Sequence, residues 1–122
     1  MKALVVDDSR AMRTILKKFL VAEGFEVVEA AHGKEAMDRL GVTGPLDLAL
    51  VDWNMPEMNG FELVQAIRTN KAMAKMRVMM VTTETEVAQM SAALAAGADE
   101  YVMKPFTNDV LHDKLALLGL VA

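Results

Sequence analysis

Acidic, hydroxyl and amine side chains follow four short apolar runs of this chain, each at the point where the run ends. Asp7 and Asp8 follow the first run, and Asp52 ends another. Thr82 and Lys104 end two further runs of the same kind. Three carboxylates, one hydroxyl and one amine together suit the binding of a hard divalent cation and a phosphoryl group. The residue types therefore predict phosphoryl chemistry if the fold gathers these five side chains.

The elements that would gather them are predicted by an alternation of apolar runs and amphipathic segments. Strands are predicted at about residues 3–7, 25–30, 46–52, 77–82 and 100–103. Helices are predicted at about residues 9–23, 33–40, 60–69, 86–96 and 108–118. Thr83 and Glu86 have capping-box spacing at the start of the fourth helix. Strands separated by helices pair in parallel through right-handed crossovers, so we predict one doubly wound sheet of five parallel strands with five helices.

The location of the site follows from this architecture. In a doubly wound sheet the site lies beyond the carboxyl ends of the strands, where the strand order reverses. We take the flavodoxin-like order 2-1-3-4-5 by analogy, and in that order the reversal falls between the first and third strands. These strands end at Asp7-Asp8 and at Asp52. The three carboxylates are therefore expected to face one another.

Converging carboxylates repel one another and raise their own pKa values, so a positive group is expected among them. Magnesium takes oxygen ligands and commonly binds through one or two carboxylates together with phosphate oxygens. The chain has no cysteine and only two histidines, which disfavours a zinc site. We therefore expect magnesium in this pocket, with Asp7 and Asp8 as a paired clamp.

Asp52 is the best candidate for a nucleophile because it is the single carboxylate that ends the central strand. A carboxylate can accept a phosphoryl group as an aspartyl phosphate. Lys104 would place a point charge beside the phosphoryl oxygens, and Thr82 would donate a hydrogen bond to them. Phosphoryl transfer depends mainly on positioning and charge neutralisation, which these groups can supply.

Together with further motifs, these residues resemble the signature of response-regulator receiver domains, most of all the stand-alone chemotaxis regulators of the CheY type. Such regulators are themselves an example of the strand order 2-1-3-4-5. The motifs run in order along the chain, and the ordered set is far more specific than any one of them. They are Asp7-Asp8, Asp52-Trp53-Asn54-Met55-Pro56, Asn59-Gly60, Thr82, Gly97-Ala98, Tyr101 and Lys104-Pro105-Phe106. The resemblance implies one receiver domain over residues 1–122.

The resemblance also implies how phosphorylation occurs. Asp52 would receive its phosphoryl group from a histidine kinase or from a small donor such as acetyl phosphate. Magnesium would be held by Asp8, Asp52 and the backbone carbonyl of Asn54, with Asp7 contributing through water. The peptide bond before Pro105 would be cis. Apart from this self-phosphotransfer and a slow autodephosphorylation, no enzymatic activity is expected.

Two further sets of residues take their expected roles from the resemblance. Asn54 and Glu84 resemble the pair that tunes the rate of autodephosphorylation, and Thr83 stands where many relatives carry a smaller residue. Thr82 and Tyr101 resemble the switch pair that carries the signal to the face made by the fourth helix, fifth strand and fifth helix. A downstream protein would bind that face, for example a flagellar-motor switch protein or a phosphatase.

Composition excludes several other classes of function. A formal net charge of -4 argues against a nucleic-acid-binding protein, which would be basic. No apolar run is long enough for a signal peptide or a membrane span, so a cytoplasmic protein without a membrane partner is expected. Basic residues of the first helix are predicted to form a solvated face, which could also meet a partner. They are Arg10, Arg13, Lys17 and Lys18.

Three alternatives remain beside a single-domain regulator of chemotaxis. The chain could be a phosphorelay intermediate, or a receiver excised from a longer regulator, although its apolar C-terminus has no linker composition. A small phosphatase of the haloacid-dehalogenase type also uses aspartyl phosphate and magnesium. That class needs a second acid two residues after its nucleophile, and Asn54 occupies this position.

Overall fold

The structure is a computed structural model that describes residues 1–55 and 58–121, apart from the side chains of Glu84 and Thr85. The strands are β1 (Lys2–Val6), β2 (Glu26–Ala30), β3 (Leu48–Asp52), β4 (Arg77–Thr82) and β5 (Glu100–Met103). The α-helices are α1 (Arg10–Ala22), α2 (Gly33–Thr43), α3 (Gly60–Thr69), α4 (Met90–Ala96) and α5 (Asn108–Leu117). The strands form one parallel sheet in the order β2-β1-β3-β4-β5, which confirms the predicted fold.

Helices cover both faces of the sheet, so the strands are buried on both sides. In β1, Leu4 and Val6 point to the side that carries α2, α3 and α4, whereas Ala3 and Val5 point to the side that carries α1 and α5. This alternation follows from the two-residue period of a strand. The central strand β3 is buried along its whole length. The apolar side chains of the strands therefore pack on both faces of the sheet.

The prediction of a fourth α-helix is wrong over residues 86–89. Glu84–Gln89 forms a 3-10 segment, and the α-helix begins only at Met90. The predicted capping box between Thr83 and Glu86 is present, but it begins this tighter segment. Thr85 and Val87 are β-branched, which lowers the tendency to form an α-helix, and 3-10 turns are frequent at the N-termini of α-helices.

A second 3-10 segment, Lys71–Met73, lies between α3 and β4 and was not predicted. Within the part of the chain that the structure describes, no helix combines the length and the apolar composition needed to cross a bilayer.

Candidate functional site

The carboxyl edge of the sheet presents the polar residues that the sequence placed at the strand ends. Asp52 and Thr82 are the last residues of β3 and β4, while Asp7 and Lys104 directly follow β1 and β5. Hydrogen bonds between backbones continue past two of these ends. The Asp7 N–H donates to the Ala30 carbonyl over 3.1 Å, and the Lys104 N–H donates to the Thr82 carbonyl over 2.6 Å. The sheet itself therefore positions these side chains.

The structure brings the three predicted carboxylates together. Asp7, Asp8 and Asp52 each offer one oxygen, and these oxygens lie within 4.8 Å of one another. Asp7 is only 1% exposed and Asp52 6%, whereas Asp8 is exposed. Two buried acids and one solvated acid thus form an acidic cluster, and we use that name for Asp7, Asp8 and Asp52 together.

Lys104 is the cation that faces the acidic cluster. Its Nζ lies 3.3 Å from Oδ1 of Asp52 and 3.5 Å from Oδ2 of Asp7. Oδ1 of Asp7 accepts a hydrogen bond from the Ser9 N–H over 2.8 Å. Oδ2 of Asp7 is buried and accepts no hydrogen bond, so Lys104 approaches it only as an ion-pair partner. Three carboxylates against one ammonium leave a formal charge of -2.

The electrostatics of the acidic cluster favour a further positive charge. The pKa of Asp52 is raised to about 6, mainly by burial and also by the negative charge of Asp7, while the positive charge of Lys104 opposes this shift. Burial also raises the pKa of Asp7, against the hydrogen bond from Ser9 and the charge of Lys104. Both effects mean that the ionised acids are incompletely compensated. Three oxygen donors, a formal charge of -2 and a buried oxygen without a hydrogen bond suit a small divalent cation such as Mg²⁺.

Thr82 is fully buried, and its hydroxyl is turned toward the residues that follow β4. It lies 3.3 Å from the Thr83 carbonyl and 3.5 Å from Oε1 of Glu86. The same Glu86 oxygen accepts hydrogen bonds from the Thr83 N–H over 3.2 Å and from the Thr83 hydroxyl over 3.0 Å. Sequence reasoning gave Glu86 only a capping role and missed its contact with Thr82. The available signal in the sequence was the capping-box spacing of Thr83 and Glu86, which begins directly after Thr82.

The other predicted site residues are Tyr101, Asn54 and Glu84. Tyr101 is half-buried on β5, and Asn54 is exposed two residues after Asp52. The side chain of Glu84, predicted to tune autodephosphorylation, lies outside the described part of the chain. The peptide bond between Lys104 and Pro105 is cis, as the resemblance implied.

Gly60 holds the segment after Asp52 in place. Its N–H donates to the Trp53 carbonyl over 3.0 Å. A Cβ at this position would lie 2.6 Å from the Asp52 carbonyl oxygen and 2.9 Å from Cα of Trp53. Only glycine lets the start of α3 approach the end of β3 so closely. Trp53 packs edge-on against Phe61, with ring centroids 6.2 Å apart.

The prediction of a solvated basic face on the first helix is wrong for Arg13. Its side chain is only 16% exposed and lies 3.3 Å from Oε1 of Glu29. Its Nη1 also donates to the Asp7 carbonyl over 2.7 Å. Arg13 therefore supports the backbone beside the acidic cluster. Helical spacing could not reveal this role, because Glu29 belongs to the neighbouring strand β2.

Comparison with known proteins places most of this chain in one protein family. Residues 3–116 match the response regulator receiver domain family. The chain is 49% identical over 116 residues to a chemotaxis protein CheY homolog of Campylobacter jejuni, covering 94% of this chain and 89% of that protein. It is 44% identical over 119 residues to the chemotaxis protein CheY1 of Helicobacter pylori, covering 97% and 96% of the two chains.

Solved structures show the same similarity. The chemotaxis response regulator CheY4 of Vibrio cholerae superposes with a TM-score of 0.87 at 35% identity, covering 96% of this chain and 97% of that chain. The receiver domain of a signal transduction histidine kinase from Syntrophus aciditrophicus gives a TM-score of 0.86 at 28% identity, covering 96% and 88%.

Proposed function

Because this chain belongs to the response regulator receiver domain family, and is similar over nearly its whole length to CheY chemotaxis proteins, we propose that it is a phosphorylation-controlled regulator whose acceptor is Asp52. The observation that carries this proposal is the acidic cluster, with Lys104 against it, at the carboxyl ends of the parallel strands. The phosphoryl donor is a histidine kinase, and acetyl phosphate can replace it.

In the proposed reaction an oxygen of Asp52 attacks the phosphorus atom of a phosphohistidine. The N–P bond breaks, an O–P bond to Asp52 forms, and the imidazole keeps the electron pair. Lys104, which lies 3.3 Å from Asp52, provides positive charge for the incoming phosphoryl oxygens. The Thr82 hydroxyl at the end of the neighbouring strand donates a hydrogen bond to them. Positioning and charge supply most of the catalysis in this class of reaction.

Asp7, Asp8, Asp52 and the backbone carbonyl of Asn54 would hold Mg²⁺, with Asp7 acting through water. A bound Mg²⁺ would neutralise charge between the carboxylates and the phosphoryl oxygens. The residues fit this ion because their ligand atoms are oxygens and Lys104 compensates only part of their negative charge.

The output of the regulator is a change at Thr82 and Tyr101. A phosphoryl group adds about -1.5 to -2 charges and strong acceptor oxygens, which draw the Thr82 hydroxyl away from Glu86. The Tyr101 ring then turns into the space that Thr82 leaves. Tyr101 borders an open concavity of about 410 Å³ between β5 and α5, whose lining includes Met103, Val110 and Lys114. A downstream protein, such as a flagellar-motor switch protein or a phosphatase, binds the face made by α4, β5 and α5.

The rate at which the phosphoryl group is lost is set near the entrance of the site. Asn54 and Glu84 tune the attack of water, and Thr83 narrows the approach. Apart from this slow self-hydrolysis, we expect no turnover of phosphate esters. A steady hydrolysis of generic esters would instead support a phosphatase of the haloacid-dehalogenase type.

The acceptor is tested by intact mass after incubation with acetyl phosphate and magnesium. The protein should gain one phosphoryl group, and the Asp52→Asn variant should gain none. Asp113→Asn, a change of an exposed aspartate on α5, is the matched control and should be modified like the unchanged protein. Stoichiometric modification of Asp52→Asn under the same conditions would show that the acceptor is another residue.

A further inference from the structure

Two charged residues outside the acidic cluster contact Tyr101. Nζ of Lys114 lies over the Tyr101 ring, 5.2 Å from its centroid. The same Nζ lies 3.2 Å from Oε1 of Glu100. That oxygen also accepts a hydrogen bond from the Tyr101 N–H over 2.9 Å. Glu100 therefore contacts both the Tyr101 backbone and the cation above the Tyr101 ring.

These contacts are partly shielded from water. The Lys114 side chain is 28% exposed and that of Glu100 22%. A cation over an aromatic face is stabilising, and the effect is larger where water is partly excluded. The ion pair to Glu100 reduces the freedom of Lys114, so the ammonium is directed at the ring rather than sampling solvent. The contact with the ring exists only while Tyr101 keeps its present orientation.

We infer that Glu100 and Lys114 form a latch that holds Tyr101 in the unphosphorylated orientation and so sets how easily the regulator switches. This inference rests on the proposed function, because it requires Tyr101 to move when Asp52 is phosphorylated. Lys114 and Glu100 are positioning residues. Lys114 projects from α5 and Glu100 begins β5, and neither belongs to the acidic cluster.

The latch lowers the population of the state in which the Tyr101 ring is turned inward, and so lowers the apparent affinity for a phosphoryl group. A ligand that favours the turned-in state binds with an apparent affinity that is reduced by the small population of that state. Removing the cation–ring contact raises this population. For a partly exposed contact of this kind we expect an increase of ~2- to 5-fold in the apparent affinity for a phosphoryl mimic.

The orientation of Tyr101 can be measured directly, since it is the only tyrosine in the chain. In protein labelled with 3-fluorotyrosine, every fluorine resonance of the protein itself should therefore come from this ring. Saturating beryllofluoride with magnesium should move the resonance to the position of the switched state. In the unliganded protein, Lys114→Met should move it part of the way to that position. Lys114→Arg keeps a cation above the ring and should restore the original position.

The matched control is Lys34→Met, which removes one positive charge from an exposed site on α2. It should leave both the fluorine resonance and the beryllofluoride affinity unchanged. Glu100→Gln retains an acceptor for the Tyr101 N–H but loses the ion pair, so its effect should lie between those of Lys114→Met and the unchanged protein. Midpoints of beryllofluoride titrations, followed by the same resonance, give the affinities.

Three results would overturn the latch, and each has a different meaning. If beryllofluoride moves the Tyr101 resonance but Lys114→Met changes neither the resonance nor the affinity, the latch does not exist. If beryllofluoride alters resonances around Asp52 but not that of Tyr101, the switching role of Tyr101 is refuted, and the latch with it. A shift in Lys114→Met that Lys114→Arg does not reverse would assign the effect to lost packing and overturn the latch.

Discussion

Asp52→Asn should stabilise the metal-free protein at neutral pH, although it removes an ion pair. The reason is that Asp52 is 6% exposed and lies beside Asp7, so its ionised form is unfavourable in the folded state. Burial and the charge of Asp7 outweigh the contribution of Lys104 and raise the pKa from 3.8 to about 6. Asparagine has a similar shape and cannot ionise.

The magnitude follows from linkage between protonation and folding. Because the folded state binds the proton more tightly than the unfolded state, stability falls as the pH rises between these two pKa values and is level above them. At about 1.4 kcal/mol per pH unit, the pKa difference between 3.8 and about 6 lowers the free energy of unfolding by ~3 kcal/mol at pH 7.5. The same relation gives a cost of only ~1 kcal/mol at pH 4.5. The gain from Asp52→Asn should therefore shrink as the solution is acidified.

Urea unfolding in the presence of a chelator, followed by circular dichroism at pH 7.5 and pH 4.5, measures this gain. Asp113→Asn should change the free energy of unfolding by less than about 0.5 kcal/mol at both pH values, as expected of an exposed site. Magnesium should narrow the difference in the free energy of unfolding between Asp52→Asn and the unchanged protein at pH 7.5. The ion stabilises only a protein that binds it, and the variant lacks the proposed ligand Asp52. An Asp52→Asn variant that is no more stable than the unchanged protein at pH 7.5, or equally stabilised at both pH values, would show that ionisation of Asp52 does not destabilise the folded state.

Three further results are expected. Asp8→Ala should raise the midpoint of a magnesium titration, followed through the emission of Trp53, by ~10-fold or more because a charged ligand is lost; an unchanged midpoint would place the metal elsewhere. Gly60→Ala should lower the free energy of unfolding by ~1–3 kcal/mol, since the new Cβ would meet backbone 2.6 Å away, and an unaltered urea midpoint would contradict this. Beryllofluoride with magnesium should perturb nuclear magnetic resonance signals as far as α4 and α5, whereas changes confined to the surroundings of Asp52 would exclude the proposed route.

Much of the site could be predicted because its residues stand at strand ends, which are visible in the sequence. The first polar residue after an apolar run marks the point at which a buried strand ends. A parallel sheet then brings the ends of β1, β3, β4 and β5 to one edge. The positions of Asp7, Asp52, Thr82 and Lys104 follow from these two facts. The strand order itself needed an analogy, because local patterns do not specify which strands are neighbours.

The α/β class and the residues of the acidic cluster can be recognised in the sequence, because both depend on periodicity and on residue type. The burial of Asp52 and the contacts of Arg13, Glu86 and Lys114 depend instead on how the helices and strands pack together. Arg13 meets Glu29 of another element, and Lys114 meets Tyr101 across the gap between α5 and β5. Such contacts join residues that are separated in sequence, and a charged side chain on a helix has the same pattern whether it meets water or a partner. Burial and pairing are set by the assembled elements, which is why they became visible only in the folded protein.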